Sequence, residues 1–289
     1  MHSETGLPSQ SLQELRRYNS RQVDRYLTDF VHPLGMERKD MVSAAGLVPL
    51  IETDEDFDFA NIVMGQGNIS QLPQNLSCPQ ALQRSIVEMF QYSQEFDQEA
   101  SNVIVTSNHC DFEILPESRK FGYYDSVAQT YLSGPGIYIP KRQIKCYMHS
   151  HPPGIQLFQD VRGQGHNPEQ IKLLMEAVSL SDTLNLLIDS GSLAYEAMNS
   201  MLLVGNTVAT LVARTPQTEA WVKGDDWKTI ENLYTALENI FTVDVSLPIV
   251  QQNINNLSKL SRQFNLAVYS LGLGDGNIAE NWQLIQPHI

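Results

Sequence analysis

The sequence predicts an α+β fold, with strand and helix patterns mixed through the middle of the chain and mostly helical patterns on both flanks. Three observations carry this reading. Short runs rich in β-branched residues, such as Val103, Ile104, Val105 and Thr106, read as strands. Between such runs, apolar residues recur three and four apart, the spacing of a helix with one buried face. Two histidines, His149 and His151, close a strand-like run at residues 144–149 and are followed at once by Pro152, Pro153 and Gly154.

Taken in order, residues 11–31 read as a helix with Leu12, Leu15, Val23, Tyr26, Leu27 and Phe30 as its apolar points. An apolar run at 44–51 is followed by the acidic patch 52–58, read as a solvated loop. Residues 65–79 are rich in Gly, Gln, Asn and Pro and read as a linker. Pro79 then opens a helix at its first position, with Ser77 or Cys78 near the cap. Leu82, Ile86, Met89 and Phe90 give that helix one apolar face, and it is expected to end near Phe96. Strands follow at 103–106 and 112–115, a turn at Ser133, Gly134, Pro135 and Gly136, and the histidine strand at 144–149. A loop at 152–168, a short helix at 169–178 and a helix at 183–197 come next. Strands at 201–204 and 208–212 flank Gly205, Asn206 and Thr207, a hairpin signal. Helices at about 226–241 and 247–263 and a strand-like run at 266–271 complete the chain. No internal repeat is present. The reading divides the chain into a mostly helical N-terminal extension, 1–78, a core, 79–215, and a C-terminal helical extension, 216–289.

With 42% hydrophobic and 18% charged residues, the 289-residue chain has the composition of a folded protein with a sizeable core. Its net charge of -14 repels phosphate backbones, so nucleic acid is not expected as a main partner. The three cysteines, Cys78, Cys110 and Cys146, have no regular spacing and point to a reducing compartment rather than a disulfide framework. Residues 1–6 do not read as a secretory signal, and the most apolar segment, 201–213, is too short to span a bilayer. The expected location is cytoplasmic or otherwise intracellular, with delivery into another cell left open.

Side chains on a strand alternate, so His149 and His151 point the same way if the strand runs through both. Two imidazoles on one face can grip one metal ion. A zinc hydrolase then needs a third ligand, a water in the fourth position and a carboxylate to take the water's proton. Asp160 and Asp182 are the downstream aspartates within reach. Asp182 lies three residues after Ser179, so both can share the first turn of a helix; the alternative is a plain helix cap with a first-turn carboxylate. Upstream, Glu99 sits at a helix-to-strand junction, with Glu95 and Glu113 as competitors. Cys146 reads as a buried strand residue, Cys110 beside His109 as an ordinary thiol, and His166 as a loop histidine. The glycine-rich 272–276 reads as a turn.

Glu99, then His149, Ser150, His151 and Pro152, then Ser179 and Asp182 in a Ser-x-x-Asp pattern resemble the JAB/MPN metalloproteases, also called JAMM proteases. The resemblance covers about residues 80–215 and leaves the flanks unplaced. It implies a cytidine-deaminase-like central mixed sheet with flanking helices. It implies Zn2+ bound by His149, His151 and Asp182, with Glu99 as general base and Ser179 as oxyanion donor. It implies hydrolysis of peptide or isopeptide bonds in a protein substrate, in the family often an isopeptide bond to ubiquitin or a ubiquitin-like modifier. Charge and the short apolar run separately lead to no expected nucleic acid binding or membrane insertion. The chain departs from the family in one respect: 27 residues, 152–178, separate His151 from Ser179 where the family has a short loop. They are read as an insertion at the site mouth. The spacing keeps Asp160 in contention and motivates the alternative of a catalytically inactive MPN-like scaffold that binds protein partners.

Overall fold

A computed structural model describes residues 48–97, 99–106, 112–114, 123–125, 130–133, 137–140, 144–153, 172–173, 176, 178–189, 199–218, 230–241, 244, 246–274 and 278–285. The helix expected at 11–31 and the turn residues 134–136 lie outside them, as does most of the loop expected at 152–168. The strands are β1 (Val48–Pro49), β2 (Asn75–Ser77), β3 (Ser101–Thr106), β4 (Phe112–Ile114), β5 (Tyr123–Asp125), β6 (Thr130–Ser133) and β7 (Ile137–Pro140), then β8 (Ile144–Ser150), β9 (Ser200–Val204), β10 (Val208–Ala213), β11 (Ala267–Gly272) and β12 (Asn281–Leu284). The helices among the described residues include α1 (Asp56–Val63), α2 (Gln80–Phe96), α3 (Leu180–Asp189), α4 (Ile230–Ile240) and α5 (Ile249–Phe264).

The fold is α+β, as expected, and its sheet is mixed. Nine strands run in the order β1-β4-β3-β8-β9-β10-β11-β12-β2, while β5, β6 and β7 form a separate antiparallel sheet. Every ladder of the nine is antiparallel except β8–β9, which is parallel. The sheet crosses both expected boundaries: β1 and β2 enter it from before residue 79, and β11 and β12 from after residue 215.

Period-two alternation divides the side chains between two cores. Cys146, Met148, Leu202, Val204, Leu211, Tyr269 and Trp282 join Phe59, Ile62 and Val63 of α1 and Leu82, Ile86 and Met89 of α2. On the opposite face, Met201, Leu203, Val212 and Val268 meet Leu186 and Leu187 of α3, Leu233 and Leu237 of α4 and Leu257 and Leu260 of α5. The result is three layers, helices on both sides of one sheet.

Two helices share one construction. α2 follows Pro79 and stops at Asp97, and α5 follows Pro248 and stops at Asn265; both stop residues are left-handed, with φ of 49° and 53°. Asp and Asn are the side chains that tolerate that conformation best, so each helix ends without a glycine. Pro79 thus caps α2 from one position earlier than expected. The acidic patch departs further from the sequence reading. Its second half is the start of α1, and Asp56 is buried, accepting the backbone N–H of Glu52 at 3.0 Å and of Thr53 at 2.9 Å. Those bonds satisfy backbone donors of the turn that leads into α1, which a freely solvated loop would leave to water. α3 begins at Leu180, three residues before the expected start, because Ser179 and Asp182 cap it.

Trp282 on β12 is fully buried, 6.2 Å from Phe59 between ring centroids, in the same core as Met148 of β8. Trp282→Ala is expected to cost about 3–5 kcal/mol of unfolding free energy in urea. An unchanged midpoint would show that residues beyond 215 do not support the histidine strand.

Candidate metal centre

β8 lies between β3 and β9, and its C-terminal end carries the histidines. His149 pairs with Ser101 on one side and Leu203 on the other. The bonding continues past the strand end: Ser150 N–H donates to Ala100 O at 2.8 Å, and His151 N–H to Val204 O at 2.9 Å. Leu203 belongs to the core under α3, so His149 faces that helix. Glu99 lies two residues before Ser101, the cross-strand partner of His149, and its carboxyl feels the charges of both His149 and Asp182.

The third group arrives through topology. A parallel pair cannot be closed by a tight turn, so the chain between β8 and β9 must cross back over the sheet. α3 is part of that crossover, and its N-terminal turn stands by the C-terminal end of β8. Asp182 Oδ1 lies 3.5 Å from His149 Nε2, and one donor atom each from His149, His151 and Asp182 fall within 4.8 Å of one another. The His149 and His151 ring centroids are 5.1 Å apart. Tyr147, two residues back on the same face, stacks on His149 at 5.3 Å with ring planes 18° apart. The sequence reading missed it, although the alternation that pairs the histidines also selects Tyr147.

The two oxygens of Asp182 have different tasks. Oδ2 accepts the Ser179 backbone N–H at 2.9 Å and the Ser179 hydroxyl at 2.7 Å, while Asp182 N–H donates back to Ser179 Oγ at 3.1 Å. This is a reciprocal cap on α3, with aspartate in the place more often held by Glu or Gln. Oδ1 is left facing His149. The plain-cap reading and the ligand reading of Ser179 and Asp182 therefore coexist: one oxygen caps, the other points into the cluster.

Charge couples the group. Burial alone would raise the Asp182 carboxyl, but His149, His151 and the Ser179 hydroxyl outweigh it and hold it well below the usual carboxylate range. Burial lowers His149, and Asp182 with help from Glu99 reverses this to a net rise. Glu99 is exposed at the rim, yet loss of water around its carboxyl raises its pKa, opposed by His149 and reinforced by Asp182.

Two nitrogens and one carboxylate oxygen are a donor set that zinc takes. At bond lengths of about 2.1 Å, two tetrahedral donors stand about 3.4 Å apart, and the His149–Asp182 edge at 3.5 Å agrees with this. His149 Nδ1 is buried and makes no hydrogen bond among the described residues, so Asp182 is the only hydrogen-bonding partner seen on that ring. Three other candidates among the described residues stand apart from the cluster. Cys146 faces the opposite core, and burial pushes its thiol up to about 12, as befits a structural strand residue. Glu95 is exposed on α2, and Glu113 pairs with Val105 on β4. Asp160, His166, His109 and Cys110 lie outside the described residues.

The segment 152–178 leaves and returns at one place. It departs after His151, bonded to Val204 O, and near its end Glu176 Oε2 accepts the N–H groups of Asn206 and Thr207 at 3.1 and 3.0 Å and the Thr207 hydroxyl at 3.2 Å. Gly205 makes room for this, since a Cβ there would meet Glu176 Oε2 at 2.9 Å. Both ends of the long segment are thus tied to the β9–β10 hairpin, three residues before Ser179. No family model, curated protein or solved structure matches this chain.

Ser179→Ala removes the cap on α3 and is expected to cost about 1 kcal/mol in metal-free protein, read by urea denaturation. No loss at all would mean that the Ser179–Asp182 bonds do not form in solution.

Proposed function

We propose that this protein is a zinc-dependent metalloprotease of the JAB/MPN type, hydrolysing peptide or isopeptide bonds, with a ubiquitin-like modifier joined to lysine as the substrate class. The observation that carries the reading is the convergence of His149, His151 and Asp182 from β8 and α3, with their donor atoms within 4.8 Å of one another. Glu99, whose carboxyl is coupled by charge to His149 and Asp182, supplies the carboxylate that such a site needs. The likeness to the JAB/MPN proteases otherwise rests on the motif residues.

Bound there, zinc would polarise the scissile carbonyl and lower the pKa of a water. Glu99 accepts the proton of the attacking water and returns it to the leaving amine. Asp182, held by Ser179 through Oδ2, offers Oδ1 as a single oriented donor. Ser179 has two roles to choose between. Its one hydroxyl proton is given to Asp182 Oδ2 at 2.7 Å, so donation to an oxyanion requires the rotor to turn away. Holding Asp182 requires no movement.

The test is zinc content and isopeptide cleavage by protein purified without chelator. One zinc per chain is expected, lost in His149→Ala. Glu99→Gln should keep the zinc and lose about 10²–10⁴-fold in kcat. Protein that binds no zinc would instead leave the scaffold reading. Ser179→Ala separates its two roles: a holder of Asp182 weakens zinc binding by about 10–100-fold, whereas an oxyanion donor lowers kcat at unchanged zinc affinity.

A further inference from the structure

Ser150 lies between the two histidines and points the other way. It is fully buried on the face covered by α2, where its hydroxyl and that of Ser93 share a hydrogen bond. The same Oγ accepts the Ala100 N–H at 2.8 Å and lies 3.3 Å from Ala100 O, while the Ser150 backbone N–H donates to Ala100 O at 2.8 Å. One hydroxyl therefore touches the last turn of α2 and the residue that leads into β3. Ser93 O also accepts the N–H of Asp97, the left-handed residue that stops α2.

Glu99 sits inside the short span that these contacts bracket, at a junction belonging to neither helix nor strand. It lies one residue before Ala100, so the backbone at Ala100 sets where its side chain starts. A general base needs placement to within about half an ångström. Ser150 Oγ accepts the Ala100 N–H and shares a hydrogen bond with the Ser93 hydroxyl, with Ala100 O as a second acceptor in reach of its own proton.

We propose that Ser150 is a positioning residue: from the far side of the strand, through Ser93 and Ala100, it holds Glu99 in place two residues ahead of Ser101, the cross-strand partner of His149. The inference rests on the reading of Glu99 as general base. It separates the middle residue of the histidine pair from its neighbours: His149 and His151 bind, and Ser150 places the base.

Ser150→Ala tests it by two independent measurements. The first is kinetics at full zinc occupancy: kcat is expected to fall about 10–100-fold with KM and zinc stoichiometry unchanged. Ser150→Thr, which keeps the hydroxyl, is expected to restore most of kcat. The second is hydrogen exchange at the Ala100 amide, expected to accelerate in Ser150→Ala while amides within β8 stay protected. Unchanged kcat, unchanged Ala100 exchange, or a Thr variant no better than Ala would each overturn the proposal. If Ser150→Ala fails to fold, Ser93→Ala decides: a smaller fall in kcat at full zinc occupancy supports the proposal, and wild-type kcat ends it. The exchange measurement needs no activity. A chain that hydrolyses nothing yet shows the accelerated exchange would sink the protease reading and leave the tether standing.

Discussion

The parallel pairing of β8 with β9 is the constraint on which the rest depends. Antiparallel neighbours can be joined by a hairpin, whereas a parallel neighbour obliges the chain to cross back over the sheet before it can pair. That return passes through α3. A helix running back over a sheet starts beside the end where the preceding strand stops, so the first turn of α3 stands by the last residues of β8. His149 at the strand end and Asp182 in the helix's first turn meet for this reason, with 3.5 Å between Nε2 and Oδ1. Ligand sites in open sheets with helices on both faces gather at the carboxyl ends of parallel strands by the same geometry.

The length of the segment between them then matters little to the site. The 27 residues from 152 to 178 are tied at one end through His151 to Val204 O and near the other through Glu176 to Asn206 and Thr207. Closing a longer loop between fixed ends adds only slowly to its entropic cost, about 0.6 kcal/mol for each doubling in length. Distance along the chain is therefore a weak guide to distance in space at this point.

β8 divides its work by alternation. Cys146, Met148 and Ser150 face α1 and α2 and anchor the strand; Tyr147, His149 and His151 face α3 and build the cluster. The anchoring face is apolar except at Ser150, whose hydroxyl has all its partners within the fold. The working face is charged and coupled, since Asp182 raises His149 and His149 lowers Asp182. A core of fully buried aliphatic side chains on one side lets the strand hold partly desolvated ionisable groups on the other.

Much of this was legible in the residues. The apolar spacing of Leu82, Ile86 and Met89 located α2, Gly205 with Asn206 and Thr207 marked the hairpin, and β-branched runs marked β3 and β10. Local chemistry also hid some features. The acidic composition of 52–58 suggested solvent, yet Asp56 is buried because it accepts the backbone N–H groups of the turn before α1. Ser150 read as a spacer between histidines, since nothing local shows that Ser93 and Ala100 await its hydroxyl. By itself the sequence determined which residues share a face, because alternation and helical period are properties of neighbours in the chain. Which faces meet was decided by tertiary structure alone. The join of 48–77 and 267–284 to the central sheet, the parallel partner of β8 and the choice of Asp182 as the carboxylate beside His149 all depend on pairings between distant strands, which no local spacing encodes.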